Sequence, residues 1–389
     1  MTRTESLPGR LALMAAHCAG MVDLVALPVW VGTLISRYGL DPQQAGLLAT
    51  LFLAGAVLAS ATLAPRFSRL PSRTVSTAGF TASALAFWGL SSTDTFSTMA
   101  LLHAVAGVAT GAALSVTHGT IARSANPHRQ FALVGTALGV FAIAFLGATP
   151  ALVAEAGGPA LFLVFASVMA FAAVACALAF PEAEAAGRTA DTPSPLPPPQ
   201  PLPRAVWFGI AGIAAMGLVQ SMTFSFLERV GSDRDFGMAA VTGVLIALGI
   251  VDLFPAPLAA LLERRWPARR VLLTGPVVQA LLVVVIMNAT QFAPYAAAAS
   301  VFAAVMIFTH TFAFGLLARM DTSGRSMAAT PAMLMTGAAI GPIFGGTLVK
   351  AFGYGSLGLA ALAIGALAVL CFSRIPPVTP ATLPEQVLA

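Results

Sequence analysis

Two aspartates that lie inside long apolar stretches are the side chains of this chain best suited to chemistry. Asp23 follows Arg10 by about 13 residues, roughly 20 Å along a helix, and Asp252 precedes Glu263 by about 11 residues, roughly 16 Å. Both therefore fall near the middle of a membrane span, where an ionisable group usually faces an internal cavity. We predict that one or both carry a proton, and the alternative is that they bind backbone donors or a neighbouring helix.

A proline follows each aspartate along the chain. Pro28 comes after Asp23, and Pro255 comes after Asp252. A proline ring removes an amide donor, so a carbonyl one turn earlier loses its helical partner. Because such a carbonyl needs water or a ligand inside a membrane, the sequence predicts a polar pocket at each aspartate.

Four of the five histidines also lie in apolar stretches: His17, His103, His118 and His310. Histidine titrates near neutral pH, so His103 and His310 are predicted to assist the proton transfer. For His118, the sequence leaves both a functional and a structural role open. For any of the four, the alternative is a hydrogen-bonded packing residue.

Other polar and aromatic side chains are predicted to line a substrate cavity. These candidates are His17, Trp30, Gln220, Thr223, Phe224 and Phe308. No arginine or lysine lies in the middle of an apolar stretch, which disfavours a clamp for phosphate or a dicarboxylate. Aromatic and methionine side chains with few acids suit a neutral or cationic amphipathic solute, unless these side chains face lipid or neighbouring helices.

The composition identifies the elements that must position these residues. The chain is 58% hydrophobic and 9% charged, which indicates a polytopic membrane protein. Continuous apolar stretches indicate helices, because strands of a membrane barrel alternate in polarity. Twelve helices are predicted, near residues 11–36, 43–64, 74–92, 96–121, 131–154, 159–180, 205–227, 238–262, 270–290, 293–317, 327–351 and 355–373.

The twelve helices divide into two halves. A proline-rich stretch, 181–203, cannot pack a core and is predicted to be a cytoplasmic linker between six-helix bundles at 1–180 and 204–389. The pair Arg123 and Arg129 recurs as Arg319 and Arg325, an offset of 196 residues in both cases. Two parallel repeats are typical of transporters, whose substrate sites form where the repeats meet.

The distribution of cations predicts orientation. With a cytoplasmic N-terminus, 16 cationic residues lie inside and 4 outside. The positive-inside rule therefore places both termini in the cytoplasm, as in a bacterial inner membrane. The net charge of +5 needs no nucleic-acid partner, because the arginines are spread over several loops.

Catalytic and cofactor signatures are missing from the sequence. No metal cluster or disulfide framework is predicted, because the three cysteines lie in apolar stretches. No cofactor is expected, and the chain lacks the glycine-rich phosphate loop that direct ATP drive requires. The expected partners are a small solute, protons and the lipid bilayer, and the expected state is a monomer.

Several motifs resemble those of the major facilitator superfamily. The loop 63–73, with Arg66 and Arg73, is similar to the loop motif between helices 2 and 3 of that family. Its C-half counterpart, 262–270, contains Glu263, Arg264 and Arg270. Helix 4 carries His103 four residues before Gly107, where the family has arginine, and helix 11 carries a GxxxGPxxGG pattern at 337–346. The resemblance implies an all-α membrane fold of two pseudo-symmetric six-helix bundles, with helices 1, 4, 7 and 10 lining a central cavity.

Glycines four residues apart mark helix faces that can approach a neighbour closely. They are Gly107 and Gly111 in one half, and Gly337, Gly341 and Gly345, with Pro342, in the other. The two interpretations are tight packing and a sliding or bending surface for alternating access. The loop residues either latch the cytoplasmic side shut or only set topology.

The predicted function is secondary active transport of a small organic solute by alternating access, coupled to protons and directed to drug or metabolite efflux. A proton-coupled uptake carrier for a neutral metabolite is the main alternative. A membrane sensor or an enzyme is less favoured, because no clustered catalytic constellation is found in the sequence.

Overall fold

The computed structural model describes residues 4–63, 70–181, 203–263, 265–320 and 330–376. All regular elements in these ranges are helices, which confirms the all-α membrane fold. They are α1 (Leu7–Gly20), α2 (Val22–Tyr38), α3 (Pro42–Leu63), α4 (Ser72–Leu90), α5 (Phe96–Ala122), α6 (Pro127–Ala156), α7 (Pro159–Ala179), α8 (Arg204–Asp233), α9 (Met238–Val251), α10 (Pro255–Leu262), α11 (Ala268–Asn288), α12 (Phe292–Met320), α13 (Thr330–Phe352) and α14 (Gly355–Ser373).

Eleven segments of the described chain are long and apolar enough to cross a membrane. Two of them combine consecutive helices, α1 with α2 and α9 with α10. The twelfth predicted segment, α4, falls outside this set because it is rich in serine and threonine. Its polar side chains turn towards the protein, since Ser83 Oγ and Thr110 Oγ1 of α5 lie 2.8 Å apart in a buried hydrogen bond.

Two of the predicted helices are broken. The predicted helix 11–36 is interrupted at Met21, whose φ of −109° and ψ of 19° depart from helical values. The sequence predicted a carbonyl without its helical partner one turn before Pro28, but α2 continues through that residue. The predicted helix 238–262 ends at Val251 and resumes at Pro255 as α10, because proline at the first helical position lacks the amide that a continuous helix would use.

The two predicted halves meet along α3 and α13, and α2 also packs on α8. Close backbone approach depends on glycine here. A Cβ on Gly46 would lie 2.6 Å from the carbonyl carbon of Pro342, and one on Gly346 would lie 2.8 Å from that of Pro42. Larger residues at either glycine would push the two helices apart.

Polar contacts join the same two helices. Thr50 Oγ1 accepts a hydrogen bond of 3.1 Å from the Ile343 amide, and Lys350 Nζ lies 2.9 Å from Asp41 Oδ2. Burial raises the pKa of Asp41, but the Lys350 ammonium and the Gln44 amide together hold it below its usual value. The ion pair is largely exposed to solvent, so packing contributes more to this contact than charge does.

Candidate functional site

A cavity of about 760 Å³ lies between the two halves. Residues of α2, α5 and α6 line one side, and residues of α8, the α9–α10 break, α12 and α13 line the other. Most of the wall is apolar. Its polar and ionisable side chains are Asp23, His118, Thr136, Gln220, Ser221, Asp252 and His310.

Asp23 lies in the first turn of α2, immediately after the break at Met21. It is 2% exposed, and its Oδ2 atom has no hydrogen-bond partner among the described residues. The positive end of a helix dipole favours a negative group at this position. The break therefore places a buried carboxyl group, with one oxygen unpaired among the described residues, at the wall of the cavity.

Asp252 lies in the other half, at the break between α9 and α10. It caps the C-terminus of α9, and its buried Oδ1 atom has no hydrogen-bond partner in the described part of the chain. Both aspartates line one cavity whose wall is mostly apolar, and the polar pocket expected at each of them stays a prediction. Each aspartate lies at a helix break and has one buried carboxyl oxygen without a hydrogen-bond partner among the described residues.

Three further candidates line the same cavity. The Nδ1 atom of His310 has no partner within the described ranges, and the imidazole lies 5.0 Å from the Phe314 ring. Gln220 Oε1 accepts a hydrogen bond of 3.2 Å from Gln279 Nε2, which fixes the orientation of the amide. Phe224 contributes an aromatic face. These side chains offer a proton acceptor, a fixed amide and an aromatic surface.

A histidine pair adds a feature that the sequence did not indicate. The Nδ1 atom of His17 lies 3.0 Å from Nε2 of His118, and His118 lines the cavity. One nitrogen must donate and the other must accept, so the hydrogen bond is compatible with at most one charged ring. The two residues are 101 positions apart, so no local spacing predicts their contact.

The sequence profile of the Major Facilitator Superfamily matches residues 12–320. The chain belongs to the Major Facilitator Superfamily. This confirms the family prediction and identifies a multi-pass membrane transporter. Comparison with curated protein sequences gives no match.

Solved structures of transporters have the same fold as this superfamily member. A bacterial homolog of the human lysosomal transporter Spinster, in an inward-facing and occupied conformation, superposes with a TM-score of 0.74 at 13% identity over 97% of this chain and 100% of that chain. The nucleoside transporter NupG superposes with a TM-score of 0.69 at 14% identity over 95% of this chain and 98% of that chain. At these identities the similarity establishes the fold.

His103 and Trp30 lie away from the cavity of this superfamily member. Both are fully buried, and Trp30 Nε1 donates to His103 Nε2 at 3.2 Å while His103 Nδ1 lies 2.7 Å from the Met99 carbonyl oxygen. These contacts require a neutral ring with its proton on Nδ1. The structure therefore places both candidates in the aromatic core of the N-terminal half, with Phe52 and Phe165 against the indole.

This arrangement predicts a structural role. Trp30→Phe should lower the midpoint of thermal unfolding, because His103 Nε2 loses its donor inside the core, at a cost of about 1–3 kcal/mol. Proton-driven transport should keep its coupling. Differential scanning fluorimetry measures the first effect, with Trp88→Phe on the exposed face of α4 as the matched control. Loss of coupling with unchanged stability would assign the pair to the transport site instead.

The three remaining candidates for the substrate cavity lie elsewhere in the structure. Thr223 is fully buried, and its Oγ1 atom has no hydrogen-bond partner among the described residues. Phe308 faces a different groove, where its ring packs edge-on against Trp266 at 5.8 Å. His17 reaches the cavity only through His118. None of the three is among the side chains that line the central cavity.

The predicted glycine faces all lie at helix contacts. Gly107 and Gly111 of α5 face the α3 backbone, and Gly337, Gly341 and Gly345 of α13 face α8. A Cβ on Gly341 would lie 2.7 Å from the Met222 amide nitrogen. Pro342 contacts α3 instead. One face of α13 therefore packs on α8 in its own half, and another face packs on α3 in the other half.

The loop candidates within the described residues lie at helix ends. Arg73 donates to the carbonyl oxygens of Ala177 and Leu178, at 2.9 and 2.7 Å, which ties α4 to the end of α7 within one half. Glu263 caps α10, and Arg270 lies beside the same groove as Phe308. Arg66 and Arg264 lie outside the described residues, as does nearly all of the predicted linker.

Proposed function

We propose that this transporter couples the movement of a small organic solute to protons by alternating access, with the central cavity as the shared site. The observation that carries the proposal is that Asp23 and Asp252 line one cavity from opposite halves, each with a buried carboxyl oxygen that has no hydrogen-bond partner among the described residues. A carboxyl group away from water is protonated more readily than one in solution. Each aspartate can therefore alternate between a neutral form and a charged form that attracts a cation.

In this mechanism the proton and the substrate compete for the same charge. With Asp23 and Asp252 protonated, the cavity is neutral and the empty carrier can reorient. Deprotonated, either carboxylate can hold a cationic group, while the apolar wall and Phe224 contact the rest of the solute. Among the described residues that line the cavity there is no arginine or lysine, which supports a cationic or neutral amphipathic solute over an anion.

Alternation requires that the cavity open to one side at a time. The α3–α13 contact, with Asp41 and Lys350 at its edge, closes one end. Towards the opposite end the cavity is lined by the exposed residues Phe131 and Pro257. With the predicted cytoplasmic termini, an opening at this end supports an inward-facing state, through which both efflux and uptake carriers pass.

Proton-coupled uptake of a neutral metabolite is the second candidate. The fixed amide of Gln220 supports it, since a neutral polar solute can hydrogen-bond there while a proton occupies an aspartate. Counterflow in proteoliposomes tests carrier function for both candidates, because only a carrier exchanges labelled for unlabelled solute without net flux. The direction of the accompanying proton movement then separates efflux from uptake. A sensor or an enzyme would give no counterflow.

The orientation carries its own prediction. In a variant without native cysteines, Met238→Cys at the start of α9 should react with a membrane-impermeant maleimide in intact cells. Ser194→Cys in the linker should react only after permeabilisation, because the excess of arginine on that side places it in the cytoplasm. Labelling of Ser194→Cys in intact cells would reverse the topology.

A further inference from the structure

A second cavity lies on the outer wall of the C-terminal half, away from the central site. It has a volume of about 770 Å³ and is bounded by the α9–α10 break, α11 and α12. Its wall is apolar and partly open, since Phe254 is 63% exposed and Val278 is 43% exposed. In a bilayer, such exposed apolar side chains face lipid chains.

Two arginines stand at one end of this groove. Arg265 lies in the connection between α10 and α11, and Arg270 lies in the first turn of α11. Among the described residues, neither guanidinium group makes a hydrogen bond or an ion pair. Trp266 lies between them in sequence and packs on Phe308, as expected of an aromatic residue at the membrane surface. The end of the groove therefore presents two unneutralised positive charges at the level of lipid headgroups.

Among the described residues, the interior of the groove is apolar apart from two threonine side chains, neither of which has a free donor. Its two hydroxyl groups are already used, because Thr274 Oγ1 donates to the Arg270 carbonyl at 2.9 Å and Thr309 Oγ1 donates to the Val305 carbonyl at 2.7 Å. The groove is also deep. Val278 lies about ten residues into α11, roughly 15 Å from its first residue. A long apolar slot below a cationic rim fits a molecule with an anionic head and a hydrocarbon tail.

We propose that this groove binds an anionic phospholipid of the membrane. The phosphate group lies on Arg265 and Arg270, and one acyl chain follows the slot between α11 and α12 past Val278. Basic pockets between membrane helices on the cytoplasmic side are suited to anionic headgroups, and the apolar slot adds a requirement for the chain that a free phosphate ion cannot meet.

The lipid would lie behind the helix break that carries a coupling candidate. Phe254 and Leu258 face the groove, whereas Asp252 and Pro257 of the same segment face the central cavity. A lipid in the groove thus supports the broken helix from the side opposite Asp252. We expect anionic lipid to alter transport through this shared wall, and this second statement rests on the proposed function.

Native mass spectrometry of the purified protein with phosphatidylglycerol and phosphatidylcholine tests the binding site. The unmodified protein should retain phosphatidylglycerol preferentially. Arg265→Gln with Arg270→Gln should reduce that preference by about tenfold or more, since each basic residue near a membrane surface contributes about 1 kcal/mol. Arg204→Gln with Arg374→Gln, at exposed helix ends outside the groove, should not.

A third variant separates a lipid site from a simple charge effect. Ala304→Trp fills the slot and leaves both arginines in place, so it should also reduce phosphatidylglycerol retention. Undiminished retention by Ala304→Trp, or by the double arginine variant, would overturn the proposal. Displacement of the lipid by millimolar inorganic phosphate would do the same, because the site would then be one for soluble anions.

The transport arm uses the same variants in vesicles with and without phosphatidylglycerol. Transport by the unmodified protein should depend on phosphatidylglycerol, and transport by the double arginine variant should not. Retained lipid binding with lipid-independent transport would refute the regulatory part alone. Lipid binding without any transport by the unmodified protein would count against the proposed function and leave the lipid site intact.

Discussion

Asparagine at Asp23 or at Asp252 should abolish proton-driven accumulation of solute while solute exchange continues. The amide keeps the size and most of the polarity of the carboxyl group but cannot release a proton. Counterflow requires only that the loaded carrier reorient, whereas accumulation requires net proton movement. At least one of the two single variants should therefore show counterflow near the unmodified rate and no accumulation under an imposed pH gradient.

Proteoliposomes that contain each single variant allow the two rates to be compared in one preparation. Asp94→Asn is the matched control, because this aspartate is exposed outside the cavity and should keep both activities. If both cavity variants accumulate solute normally and lose only stability, neither aspartate carries the proton. The next candidates are then the His17–His118 pair, His310 and Glu228, whose carboxylate accepts a hydrogen bond from Ser232.

The second large effect is expected at the contact between α13 and α8. Gly341→Leu should abolish transport, because even a Cβ at this position meets the α8 backbone at Met222 and the side chain of Ser221, which lines the cavity. Overpacking of a tight contact typically costs about 1–3 kcal/mol, and here the helices themselves must separate. Membrane insertion and elution as a single species should remain, because the remaining packing of the bundle is unchanged.

Gly243→Leu provides the control, since a side chain at Gly243 of α9 would meet open space. The transport rates of the two variants should differ sharply. Their size-exclusion profiles should differ little. Normal transport by Gly341→Leu would mean that this face tolerates bulk and does not constrain the moving parts of the carrier.

Sequence reasoning located the helices well because a membrane makes each span a visible apolar stretch. It missed the break at Met21, because no proline stands there and a single irregular residue leaves no trace in hydropathy. Pro255 is the sequence signal for the break near Asp252, because its missing amide disfavours a continuous helix. The helix predicted at 74–92 is present as α4, but its hydroxyl-rich face lowers its hydropathy, so its place as a membrane span stays a prediction.

The candidate site was predicted only in part, since depth in the membrane follows from residue counting but rotation about the helix axis does not. Asp23 and Asp252 were expected at mid-membrane, and both line the cavity. His310 and His103 were predicted because they lie in apolar stretches; His310 lines the cavity, but His103 bonds to Trp30 in the core. The His17–His118 contact depends on how α1 and α5 pack, which no single segment encodes.

The most direct test of the account is whether solute moves protons through the cavity aspartates. The test uses proteoliposomes with an acidic lumen that contains a pH-sensitive dye. A lipophilic organic cation, such as tetraphenylphosphonium, or the best solute from an uptake screen is added outside. The lumen should then become less acidic. The predicted result is a solute-dependent rise in lumenal pH with the unmodified protein and none with Asp23→Asn combined with Asp252→Asn. An equal rise with the double variant, or entry of labelled solute with no pH change in the unmodified protein, would contradict the account.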